Sequence, residues 1–325
     1  MSVPAGGSTP ADNPPPAITP VSDTSWPERT RPSTGAVPVL SRTAHDRAHH
    51  ARALPDPAQG RPVRVLTVDD QRAVPVAEGD GGPRLLWDEQ PALPEGAVFL
   101  GEADGVAYAA VRGQRALRIG GRPVDTWSGL REIGADLDDL DAGLLVEAIG
   151  ILEWQERNRF SPLSGAATTI ERAGWVQRDP ATGAELFPRT DPAVIMLVHD
   201  GGDRVVLGRQ AVWPPGRFSI LAGFVEPGES AEAAVAREVA EEVGLTVTDV
   251  RYVGSQPWPF PQSLMLGFVA RAEEVGPLRL DPDEIEEARW FTRAELRSGA
   301  GPRALPPPVS IARHILDRWI AGELS

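Results

Sequence analysis

The sequence predicts an α/β protein of about two domains behind an unstructured head. Three observations predict it. An amphipathic helical segment, about Ala231 to Val243, lies between runs of strand character. Upstream, from Arg61 to Ile119, short apolar runs alternate with DG, GG and PEG turn signals, the pattern of a small β-rich unit. Ahead of both, residues 1–35 are rich in Pro, Ala, Gly, Ser and Thr and carry no apolar periodicity, as a disordered head does.

Composition narrows the class. The chain has 325 residues, 41% of them apolar, which suits a soluble protein with real cores. No apolar run reaches membrane-spanning length, and the N-terminus lacks the charged start and apolar stretch of a signal peptide, so a cytoplasmic protein without membrane contact is expected. The absence of cysteine excludes disulfides and thiolate chemistry. A net charge of −14 disfavours nonspecific binding to nucleic acid or anionic membrane. Two basic clusters, Arg42 to Arg64 and Arg112 to Arg131, read as ordinary surface.

Taken in order, residues 36–155 form an N-terminal domain. Val37 to Leu54 shows a helical pattern with His45, His49 and His50 at i, i+4 and i+5; no carboxylate or cysteine constellation supports a metal there, so they are expected on the helix surface. Asp138 to Phe160 reads as a long amphipathic helix with Leu140, Leu144, Ala148, Ile151 and Leu152 on one side. Residues 156–190 are a linker with the skeleton of a zinc ribbon, two x₂-spaced pairs separated by fourteen residues, but the ligand positions hold Ser161, Ser164, Asp179 and Thr182. Hydroxyls are poor zinc ligands, so no structural Zn²⁺ is expected. A ribbon that lost its metal and a loop that never bound one look alike here. Phe160, Leu163, Trp175, Val176, Leu186 and Phe187 are the apolar residues expected to replace the metal as a small core.

Residues 191–325 form the C-terminal domain. AVIMLV (193–198) and RVVLG (204–208) flank a DGGD turn and predict a hairpin. Then comes GFVEPGESAEAAVAREVAEEVGL, residues 223–245. Gly223, Pro227 and Gly228 mark a loop, Ser230 is a good N-cap, Val235, Val239 and Val243 give the helix a buried face, and Gly244 can end it. Glu238, Glu241 and Glu242 share one face, where their repulsion calls for a cation; Mg²⁺ or Mn²⁺ suits such hard oxygen ligands. Arg237 can neutralise or orient a neighbouring carboxylate. Further on, SQPWPFPQS (255–263) holds two large aromatics on a stiff, proline-rich segment that can offer flat surfaces to a base, or can be a plain core loop. The last helix is expected after Ser310, with Ile311, Ile315 and Trp319 inward.

The 223–245 pattern is identified as the Nudix hydrolase signature. With FPRTDPAVI (187–195), SQPWPFPQS, DPDEIEEARWF (281–291) and LPPPVSIA (305–312), the chain resembles the NADH pyrophosphatase family from about residue 36 to 325. The resemblance implies a C-terminal Nudix α/β/α sandwich with a mixed sheet, a smaller N-terminal α+β domain, a degenerate ribbon and a homodimer. It implies hydrolysis of NADH or NAD⁺ to NMN(H) and AMP, and removal of NAD caps from RNA. By the same resemblance Glu238, Glu242, Glu284 and the carbonyl of Ala222 bind metal, and Glu241 acts as ligand, base or water-orienting group. Gln256, Pro257, Trp258, Pro259, Phe260, Pro261, Gln262 and Ser263 line the dinucleotide site. Phe187 and Phe224 sandwich the base, and Ala312 contacts substrate. The competing readings are another Nudix substrate, such as ADP-ribose, and a catalytically silent dinucleotide sensor.

Overall fold

The computed structural model describes residues 37–79 and 81–324; the expected disordered head, 1–35, lies outside them. The C-terminal half is organised by one mixed sheet. Its strands run in the order Val247–Trp258, Ser263–Ala272, Asp191–His199, Arg204–Arg209 and Glu287–Thr292, with Leu221–Phe224 paired to Asp191–His199 off this path. Asp191–His199 is parallel to Ser263–Ala272 and antiparallel to its other partners. Its residues alternate between two cores, as the period of two requires. Val194, Met196 and Val198 pack against helix α3 (Ala231–Val243) through Val235, Val239 and Val243. Ile195 and Leu197 pack the other way, against helix α5 (Ile311–Ala321) through Ile311, Ile315 and Trp319. The result is the α/β/α sandwich. Helix α4 (Arg293–Ser298) joins the α5 side through Leu296.

The N-terminal half holds a four-stranded sheet, ordered Asp88–Gln90, Val63–Val68, Val106–Arg112, Val98–Ala103, and a three-stranded one, ordered Gly82–Leu85, Ala73–Gly79, Trp127–Gly129. A single turn, α1 (Leu130–Ile133), precedes the long helix α2 (Asp139–Arg157). Asp138 caps α2 by accepting from Asp141 N, so the helix begins where expected, but it stops at Arg157, short of Phe160. Leu144, Ala148, Ile151 and Leu152 are buried and Leu140 is half-buried. The helix is apolar nearly all round because both halves of the protein cover it; Trp258 and Phe260 pack on the same core.

Two expectations need correction. Val37 to Leu54 is not a helix but two short 3₁₀ turns, Val39–Ser41 and His49–Ala53. Tertiary contacts override the weak helical pattern: Leu40 and Ala51 are buried, and the imidazole of His45 is buried 2.6 Å from the carboxylate of Glu147 rather than on a surface. The ribbon segment does form a small antiparallel sheet, Thr169–Glu171, Val176–Arg178 and Glu185–Leu186, yet no apolar cluster holds it. Phe160, Leu163 and Phe187 are more than half exposed, Val176 is buried, and Trp175 packs on the N-terminal core, where its Nε1 donates to Phe99 O. The four ligand positions are instead gathered by the buried carboxylate of Asp179. Ser161 Oγ donates to it at 2.7 Å, and the N–H groups of Ala181 and Thr182 donate at 2.8 and 3.3 Å. These donors, Ser161 first, hold its carboxyl well below the usual carboxylate range. The donor set does not suit zinc: it offers one carboxylate, already engaged, and hydroxyls. Among the described residues no helix is long and apolar enough to cross a membrane.

Candidate active site

Helix α3 starts at Ser230, whose side chain accepts from Ala233 N, and ends at Gly244 in the left-handed conformation, where a side chain would be strained. Burial of Val235, Val239 and Val243 fixes its rotation and turns Glu238 and Glu242 toward the preceding strand and loop. Arg237 makes five hydrogen bonds, three that tie that strand and loop down and two to carboxylates of its own helix. Its Nε and Nη2 grip both oxygens of Glu229 at 2.8 Å, Nη2 also reaches Phe224 O at 2.9 Å, and Nη1 donates to Glu238 Oε1 at 2.8 Å and Glu241 Oε2 at 2.9 Å. The grip holds the Glu229 carboxyl down at about 2.

Glu284 arrives from a distant loop. Arg279 N donates to Val243 O and Asp281 N to Glu242 O, which fastens the loop to the exposed carbonyls at the end of α3. Ile285 N then donates to Asp281 O, and the buried Ile285 side chain anchors the turn. Ligand oxygens of Glu238, Glu242 and Glu284 thereby come within 4.8 Å of one another.

This cluster fits a divalent cation. Glu242 is 3% exposed, and its Oε2 is buried with no hydrogen-bond partner. Burial, and then the charges of Glu238, Glu284 and Glu241, push its carboxyl up to about 8. Burial also raises Glu238, against the pull of Arg237. Buried like charges with an orphaned oxygen are costly unless a cation or a proton meets them. Gly223 is part of the fit: a Cβ there would stand 1.9 Å from Glu238 Cδ, so only glycine admits this carboxylate.

The cluster opens into a cleft of about 730 Å³ that Ala222, Phe224, Glu241 and Asp283 also line. A narrower pocket of about 190 Å³, floored by Trp213, Trp258, Ile285 and Ala312, shares Glu242, Ala222, Gln210 and Met265 with the cleft. One continuous depression therefore has an acidic end and an aromatic end. Ser263 lines the acidic cleft from the far wall. Pro257, Trp258, Pro259, Gln262 and Ser263 also line a separate cavity against α2.

Not every expected residue is brought to the site. Gln256 is fully buried; its Oε1 accepts from Leu40 N at 3.4 Å and its Nε2 donates to Val309 O at 3.3 Å. Both ends of the amide are engaged in holding the N-terminal segment and the α5 approach, so it faces no ligand. Phe260 and Pro261 line neither cavity; Phe260 stacks edge-on against Trp258, ring centroids 4.9 Å apart, and packs on the N-terminal core. Phe187 stands outside the cleft lining, while Phe224 is exposed on its wall. Sequence reasoning missed Gln210, Trp213, Met265 and Asp283. WPPG at 213–216, an aromatic on a stiff turn, was the available signal for Trp213; nothing local marked Gln210 or Met265.

The fold and this depression define a hydrolase of the Nudix class. A NUDIX domain profile matches residues 189–311. The chain is 47% identical over 308 residues to the NAD-capped RNA hydrolase NudC of Mycobacterium bovis, covering 89% of this chain and 96% of that one. It is 46% identical over the same length to the protein of that name from Mycobacterium tuberculosis, with the same coverage. It is 41% identical over 198 residues to the NAD-capped RNA hydrolase NUDT12 of Homo sapiens, covering 57% of this chain and 43% of that one. The chain belongs to the NADH pyrophosphatase family of Nudix hydrolases.

Proposed function

We propose that this protein hydrolyses the diphosphate of NADH and NAD⁺ to NMN(H) and AMP, and of the same dinucleotide as a 5′ cap on RNA, as a homodimer. The observation that carries this is the junction at Glu242: the three-carboxylate cluster and the aromatic pocket meet there. A diphosphate with a flat ring at its end has that combination of charge and shape.

Glu238, Glu242 and Glu284, with the carbonyl of Ala222, are the groups to hold Mg²⁺ or Mn²⁺. Bound there, such ions neutralise the diphosphate, polarise a phosphoryl oxygen and acidify water. The remaining work falls to the chain itself. Arg237 fixes Glu238 and Glu241 from behind, so neither carboxylate reorganises during the reaction. Glu241 commits Oε2 to Arg237 and keeps Oε1 for the attacking water, whose proton a glutamate of the cluster accepts. Trp213 and Trp258 offer ring surfaces that orient the dinucleotide and displace water from the diphosphate end. Support for capped RNA comes from the relatives' names together with the shared cleft.

Product analysis with Mg²⁺ tests this. NADH, NAD⁺, an NAD-capped RNA and ADP-ribose are incubated separately. NMN(H) and AMP from the dinucleotides, with ADP-ribose turned over far more slowly, is the expected result. Preferential turnover of ADP-ribose would overturn it.

A further inference from the structure

The rings of the aromatic pocket are accompanied by a concentration of positive charge. Trp213 and Trp258 line the pocket, and each has an arginine over it: the guanidinium of Arg217 lies 5.4 Å from the Trp213 ring, and that of Arg131 lies 5.3 Å from Trp258 and 4.2 Å from Phe260. Arg303 sits beside them. Arg217 and Ala304 form a parallel bridge, and a Cβ on Gly216 would meet the Arg303 side chain at 2.7 Å. Arg72 is near enough for its charge to act on Arg131. Four segments, two from the Nudix domain and two from the N-terminal half, thus bring four guanidinium groups around the tryptophans of the pocket.

Three of these four charges are poorly compensated. Among the described residues Arg131, Arg217 and Arg303 have no carboxylate partner, whereas nearby Arg72 and Arg112 share Glu153 and Arg115 pairs with Asp69. Arg131 is exposed but lies in the field of Arg72 and Arg217, and partial burial and then those two charges lower its pKa. The chain has 46 acidic residues against 32 basic ones, and it contains no lysine. Unpaired cations that repel one another are therefore unexpected here unless an anion completes them. The diphosphate itself is accounted for at the carboxylate end of the depression. What these arginines can meet is phosphate beyond it. Guanidinium groups alternating with indole faces suit a single strand, whose phosphates take the charge and whose bases stack.

We propose that Arg217 and Arg303, backed by Arg131 and Arg72, form a docking ridge for the sugar–phosphate chain of a capped RNA, which raises turnover of RNA-borne over free dinucleotide. The proposal rests on the function proposed above. The ridge acts on the leaving chain, not on the reacting phosphorus, so it affects capture of RNA and leaves hydrolysis of free NADH alone.

The test compares wild type, Arg217→Ala/Arg303→Ala and Arg217→Lys/Arg303→Lys on NADH and on an NAD-capped 5′ RNA fragment, across a series of salt concentrations. With the alanine pair, kcat/KM on NADH stays within about two-fold, while kcat/KM on RNA at low salt falls about ten-fold or more. The log–log salt slope on RNA becomes shallower by about 1.4, for two single-strand phosphates released. The lysine pair keeps most of the RNA activity, since the charge remains. Parallel loss on both substrates, or an unchanged RNA slope, overturns the ridge. If wild type cleaves NADH but not capped RNA, the ridge falls and the dinucleotide reading stands; if it cleaves neither, the proposed function itself falls.

Discussion

Gly223→Ala isolates the metal cluster with one methyl group. The added Cβ would lie 1.9 Å from Cδ and 2.0 Å from Oε1 of Glu238, where ordinary contact begins at 3.4 Å. The carboxylate must retreat by about 1.5 Å, and it has little freedom to do so: its side chain is 10% exposed and Arg237 Nη1 holds Oε1 at 2.8 Å. Swinging away forfeits that charge-assisted hydrogen bond, about 1.5–3 kcal/mol of what positions the carboxylate, and carries its oxygens out of the cluster, so affinity for a cation held there falls. A misplacement of more than ~1 Å at the reacting centre costs about 10² in turnover even at saturating metal. Steady-state kcat on NADH against Mg²⁺ concentration measures both effects, and a melting curve shows whether the fold survives. Gly254→Ala is the matched control, since a Cβ there meets its nearest atom at an ordinary 3.7 Å. Wild-type kcat and Mg²⁺ dependence in the Gly223→Ala variant would refute the placement of Glu238 in the metal cluster.

Four further outcomes are expected. Glu242→Gln keeps the shape, removes one anionic ligand, and should lower kcat by about 10² with the fold intact; near wild-type turnover at saturating Mg²⁺ counts against the cluster. In EDTA the same carboxyl, at about 8 in the fold against 4.5 unfolded, should make wild type less stable as pH rises from about 4.5 to about 8, because the fold prefers it protonated; Glu242→Gln should flatten that part of a Tm-against-pH curve. Trp258→Ala should weaken dinucleotide binding by about 1–3 kcal/mol and also lower Tm, since the ring serves the pocket and the N-terminal core at once; unchanged NADH affinity would make it core alone. Asp179→Ala should lower Tm by several degrees without metal loss, and elemental analysis of wild type should find less than about 0.1 zinc per chain; stoichiometric zinc would contradict the hydroxyl–carboxylate cluster.

Local chemistry decided which parts of this protein could be read in advance. The span of α3 is legible to the residue because both of its ends are set by neighbours in sequence, Ser230 before and Gly244 after. The DGGD hairpin is legible for the same reason: Asp200 accepts from Gly202 N and Arg204 N within its own turn. The 37–54 segment fails because its shape is set from outside. Its Leu40 N answers to Gln256, 216 positions away, and Ser41 Oγ donates to Ser255 O. Glu284 is intermediate. Its acidic turn could be seen, but its approach to Glu242 depends on backbone bonds from Asp281 and Arg279 to the end of α3. No spacing in the sequence reports those bonds; only the family resemblance pointed to that residue.

The SQPWPFPQS segment shows why one motif can be half site and half scaffold. Residues two apart on a strand share a face, so Gln256 and Trp258 project from the same side of this one. Gln256 is fully buried and spends its amide on Leu40 and Val309, which ties the N-terminal segment and the approach to α5 to the strand that carries Trp258. Trp258 stands at the junction, lining the pocket while packing on the core around α2 with Phe260. Gly150 on α2 would place a Cβ 4.0 Å from Pro259, so the helix and the motif are already in near contact. The N-terminal half is therefore mechanically part of the binding surface without supplying a carboxylate to it. That explains why the family resemblance implied a platform eight residues long and the residue types alone also allowed a plain core loop, whereas the structure gives the pocket one indole of the motif and assigns much of the remainder to holding that indole still.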